Sequence, residues 1–122
     1  MKKWSWLVIV FVFLLTACGA KNAEGYETIV LKDIQQHVDK GAIVLDVREV
    51  EEFEEGHIIG AVNVPLSELQ KGNRADLDSA EQYIVICRSG NRSKEASAIL
   101  AGDGYDVVNV SEGMSSWTGE VE

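Results

Sequence analysis

Two short runs, AIVLDV at Ala42–Val47 and YIVIC at Tyr83–Cys87, are apolar almost throughout. A strand with one wet face alternates apolar and polar residues. A continuous run instead reads as a strand covered on both faces of a parallel sheet. Such a sheet needs helices on either side, and helical spacing is found between the runs, at Lys32–Asp39, Val50–Glu55, Leu66–Gln70 and Asn91–Ala101. Three further apolar runs, Thr28–Val30, Ala61–Val64 and Val107–Val110, bring the strands to five. Strand–helix alternation through short connections predicts an α/β fold with a mostly parallel five-stranded sheet flanked by helices.

Cys87 closes the second of those runs. It therefore stands at the carboxyl end of a buried parallel strand, where open α/β sheets bind their ligands. The residues that follow, RSGNRS, are small or turn-forming, and a helix begins near Asn91. Such a loop can aim successive backbone N–H groups at one point, and the helix N-terminus adds partial positive charge. Together with Arg88 and Arg92, these donors are expected to lower the Cys87 pKa and to hold an anion on its sulfur. A buried, inert thiol would explain Cys87 alone, but not the two arginines and the glycine-bearing loop beside it.

The amino terminus reads differently. Met1-Lys2-Lys3 is basic, Trp4–Leu15 is a 12-residue apolar run, and LTAC follows at Leu15–Cys18. These are the parts of a secretory signal, and the run is shorter than the roughly 18–20 residues of a membrane-spanning helix. LTAC also resembles the lipobox of bacterial lipoproteins. That resemblance implies a signal peptide over residues 1–17, cleavage after Ala17, and acylation of Cys18. A plain signal peptide or a hydrophobic anchor are the alternatives. The small, polar Gly19–Gly25 reads as a tether, so residues 18–25 form the lipidated cysteine and its linker, and residues 26–122 the folded domain. The expected location is extracytoplasmic, anchored by lipid to a bacterial membrane.

Charge and cysteine count narrow the function. Removal of residues 1–17 takes Lys2 and Lys3 from the 11 basic residues, leaving 9 against 20 acidic ones. So acidic a chain is a poor ligand for nucleic acid, whose phosphates need a basic face. The chain has two cysteines. With Cys18 acylated, Cys87 has no intramolecular partner, which leaves a free thiol in an exported protein.

The segment YIVICRSGNRSKEASAILAGDGYDVVNV resembles the active-site half of single-domain rhodaneses, the thiosulfate sulfurtransferases. VLDVREVEEFEEGHIIGAVNVP, Val44 to Pro65, resembles their other signature, and the likeness runs from about Glu27 to Trp117. It implies a rhodanese-like three-layer fold in which Cys87 is the nucleophile and carries a persulfide. Arg88, Ser89, Gly90, Asn91 and Arg92 would cradle the persulfide and an anionic donor, while Asp46 and Arg48 would support that loop. The implied reaction takes a sulfane sulfur from thiosulfate or a related donor and passes it to a thiol or cyanide, with no metal or organic cofactor. A monomer is expected. A cell-surface thiol/disulfide redox enzyme and a non-catalytic rhodanese-like binding module are the alternatives. Cysteine phosphatases have a longer loop, whereas here only four residues separate Cys87 from Arg92. His37 and His57 have no metal-ligand spacing with Cys87, and His57 is expected to make structural hydrogen bonds. The acidic run Glu49–Glu55 is expected to be a solvated helix face with Phe53 turned inward. Before Met114 the family usually has a Gly-Gly pair, and here Glu112-Gly113 stands instead. The Glu112 carboxylate is therefore expected near the mouth of the site, where it would repel an anionic donor.

Overall fold

The computed structural model describes residues 20–122. The expected signal peptide, the lipobox cysteine Cys18 and the first tether residue, Gly19, lie outside the described residues. Within the rest of the expected tether, residues 20–25 are exposed, and the Gly25 N–H closes a turn onto the Asn22 carbonyl.

Five strands build one sheet: β1 (Glu27–Ile29), β2 (Ile43–Asp46), β3 (Val62–Asn63), β4 (Gln82–Ile86) and β5 (Asp106–Val110). Their order is β1-β5-β4-β2-β3, and every strand pairing is parallel. The helices are α1 (Ile34–Asp39), α2 (Val50–Glu55), α3 (Leu66–Gln70) and α4 (Asn91–Gly102). The expected helix over Lys32–Asp39 divides into a 3₁₀ turn, Leu31–Asp33, followed by α1. Such tight turns are common at helix N-termini.

The two apolar runs sit at the centre, as β2 and β4, and their side chains alternate between two cores. Leu45, Val47, Tyr83, Val85 and Cys87 pack on one face with Leu66 and Leu69 of α3 and with Ala96 and Leu100 of α4. Val44, Ile84 and Ile86 pack on the other face with Ile34 of α1 and with Ile58. Burying a side chain of this size stabilises by roughly 1.5–3 kcal/mol. Double-sided burial is why these strands carry no polar alternation. It also sets the direction of Cys87, which points into the α3/α4 layer and lies under the N-terminus of α4.

Candidate active site

Cys87 is 1% exposed, at the turn from β4 into α4. Its sulfur accepts a hydrogen bond from the Gly90 N–H at 3.1 Å. Gly90 holds φ +95°, a left-handed conformation, and a Cβ there would collide with the Ser111 carbonyl oxygen. Both facts call for glycine. Burial pushes the Cys87 thiol pKa up, but hydrogen bonds from the Ser93 hydroxyl and from the N–H groups of Ser93, Gly90 and Ser89 outweigh it. The net shift is downward. These donors favour the thiolate because they bond more strongly to a charged sulfur than to a neutral one.

Ser93 had no role in the sequence reading, yet its hydroxyl is the largest favourable influence on the thiol. It lies in the first turn of α4, bonded back toward the loop, and is fully buried. Its single proton also has the Gly90 and Val110 carbonyls within reach, at 3.2 and 3.4 Å. A hydroxyl rotates, so it can turn to the sulfur when the sulfur is charged. The readable signal was a serine in the first turn of the helix that follows the loop.

The arginines do not act as expected. Arg92 forms a two-pronged ion pair with Glu52 of α2, at 2.6 and 2.9 Å. That contact lowers the Glu52 pKa to about 2 and raises that of Arg92. Arg92 feels the Cys87 charge, but less than it feels Glu52. The Arg88 side chain is exposed and makes no hydrogen bond or ion pair among the described residues, whereas its carbonyl accepts from the Ser115 N–H and hydroxyl. The largest lowering influences on the thiol therefore come from uncharged donors, and Arg92 adds a weaker charge attraction. Ser89 contributes its N–H, and Asn91 is exposed at the start of α4 with no side-chain hydrogen bond among the described residues.

Asp46 and Arg48 stand at the neighbouring strand end. Asp46 is fully buried and Arg48 is 7% exposed. The guanidinium donates to both carboxylate oxygens at 2.7–3.1 Å and to the Gly56 carbonyl at 2.8 Å, tying β2 to the end of α2. Asn63 donates to the Asp46 and Arg48 carbonyls, both at 2.9 Å. None of these bonds reaches residues 88–92. Beyond the paired register of β2 and β4, the Val47 N–H donates to the Ile86 carbonyl at 2.9 Å, just before Cys87.

A second brace comes from beyond β5. The Met114 N–H donates to the Cys87 carbonyl at 2.8 Å and the Ser115 N–H to the Arg88 carbonyl at 3.0 Å. A Cβ on Gly113 would run into the Arg88 carbonyl. Glycine is needed here for closeness of approach.

Above the loop, Arg48, Glu52, Glu55, Arg88, Met114 and Ser115 line a cleft of about 440 Å³. Glu112 is elsewhere, which corrects the expectation. Its carboxylate accepts from the Leu31 N–H at 3.0 Å, at the start of the 3₁₀ turn, and lines a separate cavity with Trp117. The carboxylates at the mouth come instead from α2, so the acidic run is only partly a solvated face. Glu49 and Glu52 cap that helix reciprocally, Glu49 also accepts from the Ser67 hydroxyl, and Glu52 holds Arg92. Phe53 is half-buried and stacks on the His57 ring, with centroids 3.6 Å apart. Both His57 nitrogens have structural partners, the Phe53 carbonyl and the Glu122 carboxylate.

Comparison with known proteins agrees with this geometry. The rhodanese-like domain family model matches residues 30–120. The Bacillus subtilis protein YrkF, named "Putative sulfur carrier protein", is 39% identical over 107 residues. That match takes in 85% of this chain but 57% of YrkF, so the chain spans little more than half of that relative. The thiosulfate sulfurtransferase GlpE of Pseudomonas putida is 39% identical over 80 residues, covering 64% of this chain and 71% of GlpE. Among solved structures, a rhodanese-related protein from Thermoplasma volcanium superposes with a TM-score of 0.72 at 36% identity, covering 80% of this chain and 98% of that one.

Proposed function

The chain belongs to the rhodanese-like domain family, and on that footing we propose that it transfers sulfane sulfur through a persulfide on Cys87. The observation that carries this reading is a buried sulfur ringed by hydrogen-bond donors with the thiol pKa lowered. A neutral, inert thiol needs no such donors. A thiolate does, and so does the persulfide anion that replaces it.

The Cys87 thiolate attacks the outer sulfur of thiosulfate or a related donor. A new S–S bond forms to Cys87, the donor's own S–S bond breaks, and its electron pair leaves on sulfite. In the second half the thiolate of an acceptor attacks the outer sulfur of the persulfide. The Cys87–sulfur bond breaks and returns its pair to Cys87. Splitting the transfer through a covalent intermediate is nucleophilic catalysis. The N–H groups of Ser89, Gly90 and Ser93 stabilise the leaving thiolate in the second half as they stabilise the nucleophile in the first. Activity is expected to fall as pH drops through the lowered Cys87 pKa and to level off above it.

Mass spectrometry after thiosulfate treatment tests the reading. Cys87 is expected to gain the mass of one sulfur atom and to lose it to an added thiol, while Cys87→Ser shows neither the adduct nor turnover. Turnover surviving in that variant contradicts the mechanism. The lipobox supports a second part of the proposal, that acylated Cys18 holds the domain at a bacterial membrane from outside the cytoplasm. Each buried acyl CH₂ contributes about 0.8 kcal/mol to such anchoring. Cys18→Ala is then expected to abolish incorporation of labelled fatty acid, and unchanged labelling rejects it.

A further inference from the structure

Four charged side chains line the cleft that includes Arg88, the residue next to Cys87, and two of them already have partners. Arg48 is paired with Asp46, and Glu52 with Arg92. Arg88 and Glu55 remain. Both are exposed, and among the described residues neither side chain makes a hydrogen bond or ion pair. The cleft thus presents one unpaired cation and one unpaired anion, where capture of a dianion calls for a surplus of positive charge.

We infer that Glu55 is a specificity-determining residue: with Arg88 it selects zwitterionic thiols and persulfides of the amino-acid type over anionic ones. A carboxylate on the substrate pairs with Arg88 and an ammonium with Glu55. A thiol that carries only negative charge keeps the Arg88 contact but meets repulsion from Glu55 where the ammonium would have met attraction. This inference rests on the persulfide reaction proposed above and names the class of thiol that completes it.

The test compares two acceptors on persulfide-loaded protein. Wild type, Glu55→Gln and Glu54→Gln are loaded with inorganic polysulfide, and mass spectrometry checks the added sulfur. Each then reacts in single turnover with cysteine or with 3-mercaptopropionate, which keeps the carboxylate and lacks the ammonium. Each thiol ionises identically whichever protein it meets, so comparing the cysteine-to-mercaptopropionate rate ratio between proteins removes that difference. Glu55→Gln is expected to lower the ratio about two- to five-fold, the size of an exposed ion pair. The effect is expected to shrink with added salt. Glu54→Gln, the same charge change outside the cleft lining, is expected to leave the ratio unchanged. Loaded protein with an unchanged ratio in Glu55→Gln, or an equal fall in Glu54→Gln, overturns the inference and leaves the persulfide reaction standing. Failure of Cys87 to load overturns both.

Discussion

The carboxyl ends of β4 and β2 lie side by side in the sheet, and each carries a buried acidic group, Cys87 and Asp46. At the end of β4, the Cys87 sulfur accepts from the Gly90 N–H, and the influences that lower its pKa come from the Ser93 hydroxyl and nearby backbone N–H groups, all uncharged. At the end of β2, the Asp46 carboxylate is met by a full positive charge, the Arg48 guanidinium, through both of its oxygens. The difference suits the two tasks. A countercharge clamped onto a carboxylate makes an immobile support, whereas dipoles around a sulfur stabilise its charge and leave it able to form a bond. The arginine in the Cys87 loop with an ion pair, Arg92, is turned to Glu52.

The comparison breaks most severely at β2. Asp46→Ala leaves the Arg48 guanidinium buried without its carboxylate, a change that costs about 3–5 kcal/mol. Chemical denaturation is expected to show that loss as a lowered midpoint. A drop under about 1 kcal/mol would mean that the pair is dispensable to the fold.

Next in size is the brace behind the Cys87 loop. Gly113→Ala puts a methyl group against the Arg88 carbonyl and displaces the loop that aims the N–H donors. Misplacement of a site by about 1 Å can cost on the order of a hundredfold in rate. A large fall in kcat/KM is expected, with a smaller loss of stability, and near-normal kinetics would show that the loop does not depend on residue 113.

A milder change is Glu52→Gln. The folded pKa of Glu52 is about 2 against an ordinary value of 4.5, so its ion pair contributes stability that is complete above about pH 4.5. That contribution is lost as pH falls toward 2. Both partners are about a third exposed, which keeps it near 1 kcal/mol. Wild type and Glu52→Gln should differ by that amount at neutral pH and converge in acid; a gap that persists at pH 2 excludes this ion pair as its source.

The smallest effect is expected at Glu112, whose carboxylate bonds the Leu31 N–H. Glu112→Gly should lower stability by about 1 kcal/mol or less. It should give no salt-sensitive gain with thiosulfate, and such a gain would return Glu112 to the mouth of the site.

The strand and helix pattern was legible because double-sided burial writes itself into AIVLDV and YIVIC as unbroken apolar runs. Cys87 was legible from its place at a strand end before a glycine-bearing turn. The partners of the charged residues were not. Arg92 is 40 positions from Glu52, and Glu112 is 81 from Leu31. Such pairings depend on how the layers stack, which no local spacing encodes. Ser93 was overlooked for a related reason: arginines draw attention by their charge, while a buried hydroxyl acts only through its direction.

The central claim is that uncharged donors, with the Ser93 hydroxyl foremost among them, hold Cys87 as a thiolate. The pH dependence of Cys87 alkylation by iodoacetamide, a neutral reagent, reads the thiol's ionisation directly. It can be followed in wild type, Ser93→Ala and Arg92→Gln at one ionic strength. Removal of the hydroxyl is predicted to move the midpoint clearly upward, and loss of the Arg92 charge to move it less. An Arg92→Gln shift as large as that of Ser93→Ala, or larger, would contradict the account and return the control of the thiolate to charge.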